Sequence, residues 1–272
     1  VWMHEGRLRA DGAAKSVCME YAAFLHQAQQ PTRMVKHRPG IETIAGTETT
    51  DTGAPPSQTA SATVDLTNPP AAKRGNSDAD AERDHRAERL HASEHRNLGE
   101  LVDFNPGRGW WGVGGLLVED AWIDDASGQR TGVIEGGEIV DLHVRARATE
   151  TIERPVLGFF VRNQRGQMLF GDNTYLTHVD SPPPPLAAGE SCVAAFRFRL
   201  PYLATGDYSI EVATADGDPA GLTQHQWVED ALTLRVRNSH VIHGLVGIPM
   251  IKCHIRRIDV PDSSVNRSGA MQ

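Results

Sequence analysis

Residues 158–174 read GFFVRNQRGQMLFGDNT, and the reading of this stretch decides the fold. Phe159, Phe160 and Val161 are strand formers, a polar turn follows with its glycine at Gly166, and Met168, Leu169 and Phe170 make a second apolar run. Gly171-Asp172-Asn173 then supplies residues that favour another turn. The pattern is that of a β-hairpin with a polar loop at its far end. On a strand, side chains alternate between faces, so Leu157, Phe159 and Val161 share one side while Phe160 and Arg162 share the other. One side is wholly apolar and the other mixed, as expected where one face meets a core and the other is open.

The same period continues on both sides of the hairpin. Residues 111–123 form a long run, and Glu135-Gly136-Gly137 turns into residues 139–148, where Val140, Leu142, Val144, Ala146 and Ala148 alternate with polar neighbours and must face the core. Beyond an extended proline corner at residues 182–185, Cys192, Ala194, Phe196 and Phe198 share one face. Gly206-Asp207 turns into residues 208–215, and residues 222–236 supply a longer strand. Short strands separated by Gly and Pro, with almost no helix, call for an all-β fold, an antiparallel sandwich spanning residues 105–260, with a tail at 261–272. Residues 250–258 read as a last strand on a hinge of Gly244, Gly247 and Pro249, able to fold back or to pair with a second copy.

Upstream, the character differs. A short hairpin and one helix, with Val17, Tyr21, Phe24 and Leu25 at helical spacing, precede Pro31. This piece, residues 1–28, is too small for its own core and is expected to be the end of a larger body, the chain being a fragment. Residues 29–104 read as a linker, largely disordered: Pro, Gly, Thr, Ser and Ala dominate residues 41–70, and residues 78–100 carry mixed charge with few apolar side chains.

Composition narrows the functions. Over 272 residues the net charge is −8, which argues against a dominant nucleic-acid or anionic-membrane role. Cys18, Cys192 and Cys253 are scattered and odd in number, which makes neither a disulfide framework nor a zinc site; a reducing compartment follows, with Cys192 as a small core residue. His91 with His95, and His240 with His243, lack a patterned third ligand, so no metal is expected. Glu119, Asp120, Asp124 and Asp125 cluster at one strand and its turn in the manner of a solvated loop, and no nucleophile arrangement stands out, so no catalysis is expected.

Three stretches, GFFVRNQRGQMLFGDNT (158–174), TQHQWVEDALTLRV (223–236) and HGLVGIPM (243–250), together resemble the C-terminal domain of the Wzt-type ATP-binding subunit of ABC exporters for O-antigen and related surface polysaccharides. The segment VWMHEGRLRADGAAKSVCMEYAAFL at residues 1–25 is similar to the last hairpin and helix of an ABC ATPase domain, although the phosphate-cradling GxxxxGK[ST] loop occurs nowhere in the chain. The resemblance implies an immunoglobulin-like β-sandwich that binds the polysaccharide to be exported, often at its non-reducing end, and that dimerises by exchanging its final strand. It also implies a membrane-spanning exporter subunit as partner, a position at the inner face of the cytoplasmic membrane, and ATP with Mg as cofactors of the full-length subunit but none in this chain.

A saccharide offers hydroxyls and C–H faces, so its site needs exposed aromatics beside amide, carboxylate, imidazole or guanidinium groups. Phe160, Arg162, Asp172, Asn173 and Tyr175 on the hairpin, with His225 and Trp227 on the long strand, fit that chemistry. Alternation back from Leu232, Leu234 and Val236 turns His225 and Trp227 outward; a bulge at Glu229-Asp230 would reverse this. The plainer alternatives are a core tryptophan at 227, a turn asparagine at 173 and a surface or capping histidine at 225. Of the adjacent Trp110 and Trp111, one must face out or cover an edge.

Overall fold

The computed structural model describes residues 1–29, 35–37, 83–93, 96–219, 221–237 and 244–256. In chain order its elements are β1 (Trp2–His4), β2 (Arg7–Ala10), α1 (Ala14–Gln29), β3 (Val35–His37), α2 (Ala87–His91), β4 (Leu98–Val102), β5 (Trp110–Gly112), β6 (Leu116–Asp124), β7 (Val133–Glu135) and β8 (Ile139–Ala148). There follow β9 (Pro155–Asn163), β10 (Met168–Asn173), β11 (Ser191–Arg199), β12 (Tyr202–Leu203), β13 (Gly206–Asp216), β14 (Thr223–Arg237) and β15 (Val246–Gly247). The His95, His240 and His243 positions and residues 41–70 lie outside the described residues.

Two antiparallel layers make the sandwich. The larger sheet runs β10-β9-β13-β14-β4-β7, with β5 also paired to β14 and β3 to β5; the smaller runs β11-β8-β6. The period-two pattern is realised as expected. Val140, Leu142, Val144, Ala146 and Ala148 on β8 are buried, as are Leu157, Phe159 and Val161 on β9, and these meet Val212, Val228, Leu232 and Leu234 in one core. Phe159 packs edge-on against Phe196 at 5.0 Å and stacks on Phe198 at 5.5 Å, which locks the hairpin onto β11. Cys192 is half-buried beside this core, and burial pushes its thiol up to about 11.

The run expected over residues 111–123 is two strands in different sheets. Gly112 and Gly114 take φ of +145° and +90°, and the chain crosses between the layers there. A Cβ on Gly112 would lie 2.1 Å from the His225 carbonyl oxygen, so only glycine allows this crossing against β14. Two polar contacts pin the crossed layers: Thr214 Oγ1 donates to the Leu116 carbonyl, and the Val118 N–H donates to Gln226 Oε1, each at 2.6 Å.

The sheet also takes in residues that the sequence pattern placed in the linker. Strand β4 pairs with residues 233–237 of β14 and with β7, and Gly99 fits under Leu234. Upstream of it, Asp84 is buried and gathers the ends of the domain. Its carboxylate accepts from Arg86 Nε at 3.0 Å and Nη2 at 2.8 Å, from Tyr202 Oη at 3.1 Å, and from the Met250 N–H at 3.0 Å. The His85 N–H returns a bond to the Met250 carbonyl. After Gly247 no further strand forms through Arg256, contrary to the strand expected over residues 250–258. Instead β15 pairs with β12 of the same chain, and Met250 is held by its backbone at Asp84. The alternation of Ile251, Cys253 and Ile255 finds no apolar surface here; Ile251 and Ile255 are exposed.

At the start of the chain, β1 and β2 form a hairpin, and Trp2 packs on Tyr21 and Phe24 of α1 at ring distances of 5.4 and 5.1 Å. Tyr21 and Leu25 remain exposed.

The Asp84 latch has a pH signature. Burial alone would raise its pKa, but the hydrogen bonds from Arg86 and the Met250 N–H, with the Arg86 charge, outweigh it and hold the carboxyl well below the usual carboxylate range. Its stabilisation is therefore present above an ordinary carboxylate pKa and is lost as pH falls toward the depressed folded value. Asp84→Asn is expected to lower stability at pH 7 by about 1.5–3 kcal/mol, the worth of hydrogen bonds to a charged group. Urea unfolding at pH 7 and pH 3 checks this: the gap between wild type and variant must shrink at pH 3, and a constant gap contradicts the assignment.

Candidate functional site

The open face of the larger sheet is built on β13. Tyr208, Ile210, Val212 and Thr214 of this strand face the other layer, so Ser209, Glu211, Ala213 and Ala215 lie on the outer side. On β14, Ile210 is opposite Leu232 and Val212 is opposite Val228, which leaves residues 229–231 facing Glu211 alone. Asp230 takes a left-handed φ of +51° in this bulge, and its carboxylate accepts from Ser209 Oγ. Because two extra residues are inserted, the faces do not swap. Val228 stays in the core with Leu232, and Trp227 stays outside, where alternation alone had put it. The bulge also marks where the neighbour of β14 changes from β5 to β4.

Trp227 crosses over Ala213 toward β9. Its ring stacks on Phe160 at 4.7 Å and 9°, and on Trp111 at 5.4 Å and 10°. Strand order puts Phe160 and Trp111 on opposite sides of it, so the three rings stand in a row and both faces of the central indole are covered. Beneath the row lies Glu211, with no exposed surface. Its Oε2 accepts from Trp227 Nε1 at 2.9 Å, and its Oε1 lies 2.8 Å from Arg162 Nε. The latter is a meeting of charges without hydrogen-bond alignment, and both atoms are otherwise unpartnered. Arg162 Nη1 donates to the Gly166 carbonyl at 3.0 Å, so the guanidinium also ties down the hairpin turn.

Asn173 is opposite Gly158 and Gly171 is opposite Phe160, which places the exposed Asn173 on this same face. Asn173 Oδ1 accepts from the Tyr175 N–H at 2.9 Å, so it does shape the turn, and Tyr175 opens the 3-10 turn Leu176–His178. Two expected residues are not on the face. Asp172 is opposite Phe159 and lies on the other side of β10, lining an apolar groove of about 570 Å³ with Phe170, Phe196, Phe198, Val246 and Ile248. His225 is buried, contrary to its expected outward position. It is the residue left over between the Thr214–Gln226 and Ala215–Gln224 pairs, a second bulge, and the glycine crossing at 112–115 covers it. The Gly115 N–H donates to its Nδ1 at 3.0 Å, and burial lowers its pKa against the opposing pull of Asp216 and Glu150, so the ring is neutral.

Thus Phe160, Arg162, Asn173 and Trp227 come together, with Tyr175 at the margin, while Asp172 and His225 do not join them. Sequence reasoning missed Glu211, which alternation along residues 208–215 could have turned outward, and left Trp111 between two roles. Trp110 packs on the core. The acids on the other sheet are each engaged separately: Glu119 with Arg147, Asp120 with Arg130, and Asp124 with His143. Asp125 caps its own turn through Ser127. Among the described residues no cluster of three His, Cys, Asp or Glu side chains could hold a metal ion.

The architecture is that of an antiparallel β-sandwich with an aromatic row on one open sheet face. Residues 108–248, more than half of the chain, match the family model of the Wzt C-terminal domain, and the chain belongs to that family. A solved structure described as the crystal structure of the C-terminal domain of wzt aligns at 21% identity with a TM-score of 0.47, covering 57% of this chain and 92% of that one. No curated protein matches the chain.

The buried pair under the row sets an expected outcome. Arg162→Ala leaves Glu211 without its counter-charge and should destabilise the domain by about 3–5 kcal/mol, whereas the joint change Arg162→Met with Glu211→Leu should cost far less. Urea unfolding of the two variants checks it. A loss under about 1 kcal/mol in the single variant would mean that water reaches Glu211 and that the pair is an ordinary surface contact.

Proposed function

We propose that this chain is the non-catalytic carbohydrate-binding part of the ATP-binding subunit of an ABC exporter, and that it recognises an O-antigen-type polysaccharide, at its non-reducing end, for export. Membership of the Wzt C-terminal domain family supports the exporter context. The observation that carries the sugar reading is the aromatic row held by Glu211 and Arg162 on an outer sheet face, outside the core where aromatic side chains usually go. With both faces of Trp227 covered, its part is to position the row. Phe160, the half-exposed end ring, and the amide of Asn173 are the groups offered to ring C–H bonds and hydroxyls.

In this reading, ATP and Mg belong to the ATPase domain of the full-length subunit, of which residues 1–28 are the closing hairpin and helix. The linker then gives the sandwich reach from an exporter subunit at the inner face of the cytoplasmic membrane, and a second copy of the chain completes a homodimer.

One observation favours a second reading, an assembly module without sugar binding. The groove at the open edge of the sandwich is lined by Phe159, Phe170, Phe196 and Phe198, and Ile248 beside it is exposed. Titration calorimetry of the 272-residue chain with the organism's own surface polysaccharide separates the two. Saturable binding is expected, weakened about tenfold (roughly 1.4 kcal/mol) in Phe160→Ala with an unchanged circular dichroism spectrum. Wild-type affinity in both Phe160→Ala and Asn173→Ala would remove this face from consideration, and no binding at millimolar glycan would favour the assembly role.

A further inference from the structure

His225 is a buried base whose one acceptor atom holds a piece of backbone. The residue is 4% exposed, and its Nδ1 accepts from the Gly115 N–H at 3.0 Å. An imidazole nitrogen that accepts carries no proton, so the neutral ring is the tautomer protonated at Nε2, and Nε2 meets no hydrogen-bond partner among the described residues. A Cβ on Gly115 would run into both the imidazole and Glu150 Oε1, so the ring lies directly against the backbone that it holds.

That backbone is the crossing from β5 to β6. Three consecutive N–H groups turn to two residues of β14: Val113 donates to the Gln224 carbonyl at 3.1 Å, Gly114 to the His225 carbonyl at 2.8 Å, and Gly115 to the His225 ring. At the other end of the segment, Trp111 is opposite Trp227 and stacks on it at 5.4 Å. The bond at Gly115 therefore anchors the stretch whose first residues close the aromatic row.

A second ring proton has only Nδ1 to go to, and there it would face the Gly115 N–H, donor against donor. The imidazolium loses that bond, and burial leaves it without water to replace it. Two carboxylates pull the other way, Asp216 at the end of β13 and Glu150 just beyond β8, but burial outweighs them. Asp216 is already engaged with the N–H groups of Glu153 and Arg154. On β3, which pairs with β5, Lys36 is opposite Trp111 and His37 opposite Trp110.

We propose that His225 is an acid-sensitive clasp: a proton at its Nδ1 opens the crossing at residues 112–115 and frees the Trp111 end of the aromatic row. Above the ordinary histidine value of 6.5 the ring is neutral whether the crossing is closed or open. Below it, only the open form readily takes the proton, so closure is fully favoured above that pH and is lost as pH falls toward the lowered folded value. One proton taken up per opening raises the open population about tenfold per pH unit in that window. In the carbohydrate reading above, on which this last step rests, a glycan seated on the row binds the closed form and works against the acid.

The test follows the Gly115 amide of the full chain by NMR hydrogen exchange at about pH 7.5 and about pH 5.5, as protection factors, which remove the pH dependence of the exchange chemistry itself. Wild type should lose about tenfold in protection, and His225→Asn, whose Oδ1 accepts from Gly115 without titrating, should lose none. A wild-type change under about twofold, or an equal fall in the variant, would overturn the clasp. Should the variant not fold, the nitrogen chemical shifts of the wild-type ring decide: a proton arriving at Nδ1 as Gly115 loses protection supports the clasp, and one arriving with Gly115 still protected overturns it. The organism's surface polysaccharide, added at the lower pH to about ten times its Kd, should restore about tenfold in protection. No effect of the polysaccharide, with the pH effect intact, would remove the carbohydrate reading of this face and leave the clasp standing.

Discussion

Strand β13 is buried on both sides, and the rest of the sandwich is arranged to satisfy it. Residues 208–215 are all buried, although only Tyr208, Ile210, Val212 and Thr214 face the opposite layer. Ser209, Glu211, Ala213 and Ala215 point to the side that would otherwise be water. A strand in that position needs a cover of side chains on its outer face, and a carboxylate there needs both a charge and a donor. Phe160 from β9 and Trp227 from β14 close over it, Arg162 supplies the charge, and the indole N–H supplies the donor.

That arrangement depends on how β14 is interrupted. Its bulge at Asp230 lets the strand change partners from β5 to β4 without exchanging its faces, since two residues are inserted and not one. Trp111 on β5 thereby reaches the far side of Trp227 and completes the row. The second bulge inserts a single residue, and His225 is the one removed from the pattern. At the opposite end of the domain, the Asp84 carboxylate ties the segment before β4 to the segment after β15, so the two chain ends leave the sandwich from one place.

How far the fold could be read from the residues varied with how local the cause was. The hairpin at 158–174, the buried face of β8 and the strands at residues 208–215 and 222–236 follow from period-two alternation and turn chemistry, which act between neighbours in sequence. Strand β4 escaped that reading because its Leu98, Leu101 and Val102 do not alternate with period two and follow a charge-rich stretch, and it gains its place from Leu234 and Ile134, side chains far along the chain that pack above Gly99. The final segment failed in the opposite sense: Ile251, Cys253 and Ile255 alternate as in a strand, yet no sheet edge takes them up, and the backbone at Met250 is drawn to Asp84 instead.

The candidate face shows the same division. Residue identities alone marked Phe160, Arg162, Asn173 and Trp227 as glycan-contacting types, and composition alone spoke against a nucleic-acid role, because both are properties of side-chain chemistry and summed charge. Only the tertiary structure could bring Glu211 and Trp111 to them, bury His225, and turn Asp172 to the other side of β10. Those outcomes hang on strand order and on the number of residues in each bulge, which is decided by contacts between segments up to about a hundred residues apart and leaves no mark in the local pattern.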